Sequence, residues 1–92
     1  MEIIIHRINK IKELKEIDKN FGLEIDIRTK NSKIILNHEP YSQGDLLENY
    51  LSNYKHGTLI LNIKEAGIED DVLRMVKNFT NIKNFFLLDV EI

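Results

Sequence analysis

Hydrophobic positions along the 92-residue chain switch repeatedly between a period of two and a period of three to four. Glu2–Arg7 holds three consecutive isoleucines, Ile3–Ile5, a β-branched run that predicts a strand covered on both faces. From Ile8 the spacing lengthens. Ile8, Ile11, Leu14, Ile17 and Phe21 fall three and four apart with lysines and glutamates between them, which predicts an amphipathic helix. Gly22 stands where that helix would end, since glycine enters the left-handed C′ conformation without steric cost. Leu23–Arg28 then alternates strictly, with Leu23, Ile25 and Ile27 on one face and Glu24, Asp26 and Arg28 on the other. The turn-rich stretch Thr29–Lys33 predicts a hairpin into a short strand, Lys33–Asn37, which Pro40 closes. Asp45 is a candidate N-cap for a helix through Leu46, Leu47, Tyr50, Leu51 and Tyr54. His56-Gly57 breaks that helix, and Thr58–Lys64 reads as the next core strand. Ile68, Val72, Met75, Val76 and Phe79 mark another helix, with Glu69, Asp70 and Asp71 complementing the macrodipole in its first turn. Asn84–Val90 is the last predicted strand.

The order β-α-β-β-α-β-α-β predicts an α/β fold with right-handed crossovers and a parallel sheet, a hairpin being inserted after the second strand. An eight-fold β/α barrel takes about 250 residues. Residues 1–92 therefore read as one partial domain, about half of a TIM-type barrel. Composition narrows the classes further. A hydrophobic fraction of 42% with 30% charged residues belongs to a folded chain rather than a disordered tail. Thirteen Lys and Arg against fifteen Asp and Glu leave a net charge of −2, without the basic excess of a nucleic-acid or anionic-membrane surface. The chain has no cysteine, which excludes disulfides, zinc fingers and thiol catalysis. No apolar run nears the ~18 residues of a membrane span, and Met1–Glu2 is not a secretory n-region. The expected address is the cytoplasm.

Residues two apart on a strand share a face, so Glu24 and Asp26 are neighbouring carboxylates opposite the Leu/Ile face. Should the apolar face meet the helices, the carboxylates lie on the inner side of the sheet, where paired hard oxygens suit Mg²⁺ or Ca²⁺. The alternative is a solvated side of an antiparallel sheet, with Arg28 and Lys64 as ion-pair partners. His6 ends the first strand and His38 the hairpin strand. Histidines at strand ends are commonly structural, but two at the edge that carries a carboxylate pair suit acid–base work near neutral pH. His56 precedes a strand at the opposite edge and reads as an ordinary loop residue. Asn62 and Lys64 share the face opposite Leu61 and Ile63; Lys64 would neutralise a phosphate oxygen or pair with Glu24 or Asp26. Tyr41, Tyr50 and Tyr54 read as packing and loop-edge residues. There is no glycine-rich phosphate loop, Walker pattern or Ser-His-Asp order.

Taken together, these residues resemble the glycerophosphodiester phosphodiesterase family, relatives of phosphatidylinositol-specific phospholipase C. The family's first strand ends in His-Arg, here His6-Arg7. Its second carries Glu-x-Asp after a glycine, here Gly22-Leu23-Glu24-Ile25-Asp26. The hairpin strand ends in His-Asp-Pro, here His38-Glu39-Pro40, and a later strand ends in Glu-x-Lys, here Asn62-Ile63-Lys64. The likeness runs from residue 2 to about residue 90. It implies a TIM barrel that splits a small phosphodiester into an alcohol and glycerol 3-phosphate. By position, Glu24, Asp26 and Asn62 would hold one divalent cation, Mg²⁺ or Ca²⁺. His6 and His38 would be the acid–base pair, and Arg7 and Lys64 the phosphate-binding cations. The sequence departs from the pattern in three places. Ile8 stands where a glycine usually follows His-Arg, the Glu-Asn-Thr type loop is missing, and Asn62 replaces a third acidic ligand. With half a barrel, this reading expects a chain inactive alone that self-associates or needs a C-terminal complement. The rival is a non-catalytic α/β interaction module built from the same elements.

Overall fold

The structure, a computed structural model, describes residues 1–40 and 42–88. In chain order the elements are β1 (Ile4–Ile5), α1 (Ile11–Leu14), β2 (Gly22–Lys30), β3 (Lys33–Leu36) and β4 (Asp45–Leu46), then α2 (Leu47–Ser52), β5 (Leu59–Ile63), α3 (Glu69–Lys77) and β6 (Phe85–Leu88). The fold is α/β, and the six strands of the described residues form one open sheet. β1, β2, β5 and β6 are parallel and adjacent in chain order, while β3 and β4 add antiparallel strands beyond β2.

β2 organises everything. Leu23–Ile27 pairs with β5 along one edge. The opposite edge is divided, with β1 beside Gly22 and Leu23 and β3 beside Ile27–Lys30. The β2–β3 hairpin turns on Asn31 and Ser32, both at positive φ (52° and 66°), the type I′ geometry that matches strand twist. Leu23, Ile25 and Ile27 join Leu59, Leu61 and Ile63 in one buried cluster with Leu14, Leu47, Tyr50, Leu51, Tyr54, Val72 and Val76. The helices thus cover the Leu/Ile face, as alternation predicts. The other face has no helix on it among the described residues. There Phe86 is 62% exposed and Leu88 45%, in register with Ile60 and Asn62.

Several local expectations are corrected. The amphipathic helix from Ile8 to Phe21 shrinks to the single turn of α1, followed by turns. Ile8 does not start a helix: its N–H donates to the Glu24 carbonyl at 3.0 Å, its carbonyl accepts from Tyr50 Oη at 2.7 Å, and the chain stays extended at Lys10 (φ −118°, ψ 134°). Gly22 is the first residue of β2 rather than a helix cap. Glycine is needed there for space, since a Cβ would lie 2.4 Å from Ile4 Cδ1 and 2.6 Å from the Thr58 carbonyl. Asp45 does not cap α2. It sits in the short strand β4, and its carboxylate accepts the Ile11 N–H of α1 at 2.7 Å. The first strand narrows to two residues and the second lengthens to nine. Tyr50 and Tyr54 pack in the core. Tyr41 and the predicted strand beyond Leu88 lie outside the described residues.

Candidate functional site

The divided edge of β2 is where the candidate residues meet. Between the end of β1 and the start of β3, residues 24–26 have no strand beside them on that side, and the His6–Asn9 segment fills the gap. Asn9 closes the ladder with its side chain: Oδ1 accepts the Asp26 N–H at 2.8 Å, and Nδ2–H donates to Asp26 Oδ2 at 3.0 Å. Tyr50 fixes the same segment through the Ile8 carbonyl, and burial pushes its hydroxyl well above its ordinary pKa, so it remains a donor. Arg7 makes the bend with φ at 57°, a left-handed conformation that costs a non-glycine residue about 1 kcal/mol or more. On the other arm, Asn37 N–H donates to the Asp26 carbonyl at 3.0 Å. Arg28 donates from Nε to the Asn37 carbonyl at 3.2 Å and from Nη2 to the His38 carbonyl at 3.0 Å.

Each arm therefore presents one histidine to one carboxylate of β2. His6 Nδ1 lies 2.9 Å from Glu24 Oε1. His38 Nδ1 lies 3.6 Å from Asp26 Oδ2, beyond hydrogen-bond reach, and has no hydrogen-bond partner among the described residues although it is buried. A carboxylate accepts, so the tautomer it favours carries its proton on Nδ1 and leaves Nε2 open. Asp26 is only 1% exposed. Its Oδ1 is 3.6 Å from Lys64 Nζ, a buried carboxylate with a cation opposite. The structure combines features of the two readings left open by the sequence. The carboxylate face is the one the helices leave bare, yet Asp26 is not solvated, and Lys64 pairs with Asp26 while Arg28 holds backbone carbonyls. Asn62 is half-buried and in register with Asp26. Arg7 is exposed and forms no ion pair among the described residues. With Asn9 and His38 it lines a cavity of about 670 Å³.

No cluster of three His, Asp or Glu side chains suited to a metal occurs among the described residues. The donor set available to a cation is two carboxylates and the Asn62 amide, with Lys64 competing at Asp26. Of their oxygens, Glu24 Oε1 faces His6 Nδ1, Asp26 Oδ2 accepts from Asn9 Nδ2 and Asp26 Oδ1 faces Lys64 Nζ.

Sequence reasoning missed Asn9 and Glu65 and gave Arg28 the wrong partner. Asn9 was hidden because the apolar spacing put it on the polar side of a helix. Glu65 follows β5 and extends the ladder with its carboxylate, accepting Thr29 N–H at 2.6 Å and Thr29 Oγ1–H at 2.7 Å. His56 is more than a loop residue: it is half-buried, its Nε2–H donates to the Ile17 carbonyl at 2.9 Å, and its ring lies against Tyr54. It stands apart from the divided edge of β2, and no hydrogen bond or ion pair among the described residues joins it to His6 or His38. Compared with protein-family models, with curated proteins and with solved structures, the chain matches none.

Proposed function

We propose that this chain is the N-terminal half of a phosphodiester-cleaving β/α barrel of the glycerophosphodiester phosphodiesterase type, with His6 and His38 as its acid–base pair. One observation carries the reading: two histidines from separate arms of the chain turn Nδ1 toward Glu24 and Asp26 of a single strand. A carboxylate behind an imidazole fixes its tautomer and stabilises the imidazolium, the arrangement proton transfer requires. One imidazole would take the proton of the attacking hydroxyl as its oxygen bonds to phosphorus. Attack by water gives glycerol 3-phosphate directly, whereas attack by the neighbouring glycerol hydroxyl gives a cyclic phosphate that water opens to glycerol 3-phosphate in a second step. The phosphorus–oxygen bond to the alcohol breaks, and the second imidazolium gives its proton to the leaving oxygen. Arg7 and Lys64 would face the phosphoryl oxygens, where negative charge develops. Glu24, Asp26 and Asn62 would hold a divalent cation, Mg²⁺ or Ca²⁺, whose contribution when bound is to polarise those oxygens.

The barrel part of the reading is supported by parallel strands adjacent in chain order and by helices on one face only. The bare face mixes Phe86 and Leu88 with Glu24, Asp26 and Lys64. A face of that kind calls for further strands, so the chain alone is expected to self-associate and to turn over no substrate. The Asp26–Lys64 pair and the amide at Asn62 favour the second reading, a non-catalytic module of the same architecture.

Histidine NMR during titration with glycerophosphocholine, with and without Mg²⁺ or Ca²⁺, separates the two. The phosphodiesterase reading expects saturable shifts of the His6 and His38 ring signals, none at His56, and their loss in His38→Ala. Ring signals of His6 and His38 that stay put throughout would reject it in favour of the module.

A further inference from the structure

The parallel part of the sheet ends in two open edges. Among the described residues β1 pairs only with β2, and β6 only with β5, so the outer side of each offers unpaired backbone groups. The large hydrophobic side chains exposed among the described residues are Met1, Ile3, Phe86 and Leu88. All four lie at these same edges, Met1 and Ile3 leading into β1, Phe86 and Leu88 on β6. The β3–β4 extension joins β2 only from Ile27 onward, beyond the level of β1.

We infer that a second copy of this chain covers the bare face, related by a two-fold axis that sets β1 of each copy parallel to β6 of the other. β1, β2, β5 and β6 are four adjacent strands running one way, so two copies supply eight. Eight strands close into a barrel whose interior side chains just fill it. The pairing satisfies both edges of both copies and stops at two; the same contact without closure would run on as a filament. Phe86 and Leu88 would turn into that interior with Ile60, the neighbour of Phe86 on β5. The carboxylates of the face bring their own counterparts, Lys64 at Asp26 and His6 at Glu24, so closure strands no lone charge. The inference rests on the barrel part of the proposed function, not on its chemistry. It makes the second half of the barrel another copy rather than a different polypeptide. Without that copy, Glu24, Asp26 and Lys64 lie on one wall of an open sheet.

Sedimentation equilibrium of the full chain is expected to give one species of twice the 10.8 kDa chain mass. Ile3→Cys and Lys83→Cys, at exposed positions flanking the two edges, place single thiols in a chain that has no cysteine. A short bis-maleimide should join the two variants when they are refolded together, and neither to itself. A monomer, an open-ended assembly, an unlinked mixture, or either variant linked to itself would overturn the inference. Phe86→Lys, which forces an unpaired charge into the interior, should weaken the dimer about 10-fold or more and leave each copy folded; an unchanged dimer would overturn it too. The histidine titration reads the chemistry separately. A monomer whose His6 and His38 signals shift with glycerophosphocholine rejects the second copy and keeps the phosphodiesterase reading. A cross-linked dimer whose signals stay put does the reverse.

Discussion

The two faces of the sheet are made by alternate residues of the same strands, yet they obey different rules. On the covered face Leu23, Ile25, Ile27, Leu59, Leu61 and Ile63 have no accessible surface. On the bare face Glu24, Asp26 and Asn62 sit among partly exposed Ile60, Phe86 and Leu88. The covered face is held by non-directional burial, which any apolar side chain of suitable volume supports. The bare face is held by directed contacts: an amide clamp, two imidazole–carboxylate pairs and one ammonium. The difference separates what specifies the fold from what would specify the chemistry, because one register places both.

Breaking the covered face should have the largest effect. Leu61→Ala removes a fully buried side chain and is expected to cost about 2–5 kcal/mol in chemical denaturation. Phe86→Ser, on the bare face of the neighbouring strand, should cost far less and should reduce self-association in sedimentation velocity. At protein concentrations too low for association, equal destabilisation by the two would mean that the bare face is covered within a single copy.

Asn9→Ala comes next. It leaves the Asp26 N–H and one carboxylate oxygen without their partner in a buried setting, expected to cost about 1–3 kcal/mol. The same denaturation experiment reads it, and a neutral result would show that water replaces the clamp. Cation binding sharpens the bare face further. Asn62→Glu should tighten Mg²⁺ or Ca²⁺ about 10-fold by supplying a third carboxylate. Glu24→Gln and Asp26→Asn should each abolish the calorimetric signal; unchanged affinity in both would remove the cation from the proposal.

The smallest effect is expected at the opposite end of the sheet. The Glu2 carboxylate accepts from Thr58 Oγ1–H and N–H, which holds it below its ordinary value of 4.5. A carboxyl depressed in the folded state stabilises above its unfolded pKa and loses that contribution as pH falls through the folded one. Glu2→Gln should therefore lower stability above about pH 4.5 and flatten the acid limb below it, the difference from the parent vanishing once the pH has fallen through the depressed folded-state value. An unaltered acid limb would show the contact to be absent in solution.

Much of this architecture was legible in the sequence. Strict alternation from Leu23 to Arg28 assigned both faces of β2, and the parallel order with an inserted hairpin followed from the succession of elements. His6, Glu24, Asp26, His38 and Lys64 could be placed at one edge because each ends or lies on a readable strand. What failed was local. Apolar residues three and four apart from Ile8 to Phe21 imitate a helix, but tertiary hydrogen bonds from Ile8 and Asn9 to β2 take the backbone elsewhere. Asp45 looked like a cap because it precedes a helix, and it does cap one, across the fold rather than along the chain. Periodicity records which face a residue needs; it carries no record of side chains that complete another strand's ladder.

The Asn9 clamp has a consequence for motion. Along β2 two amides are tied to a side chain rather than to backbone, Thr29 to the Glu65 carboxylate and Asp26 to the neutral Asn9 amide. A change of rotamer at Asn9 frees that proton without unzipping any strand, so hydrogen exchange at Asp26 would proceed by a small opening, independent of global unfolding. The same rotamer change removes the bond to Asp26 Oδ2. One amide proton thus becomes a clock for how often the carboxylate behind His38 is released.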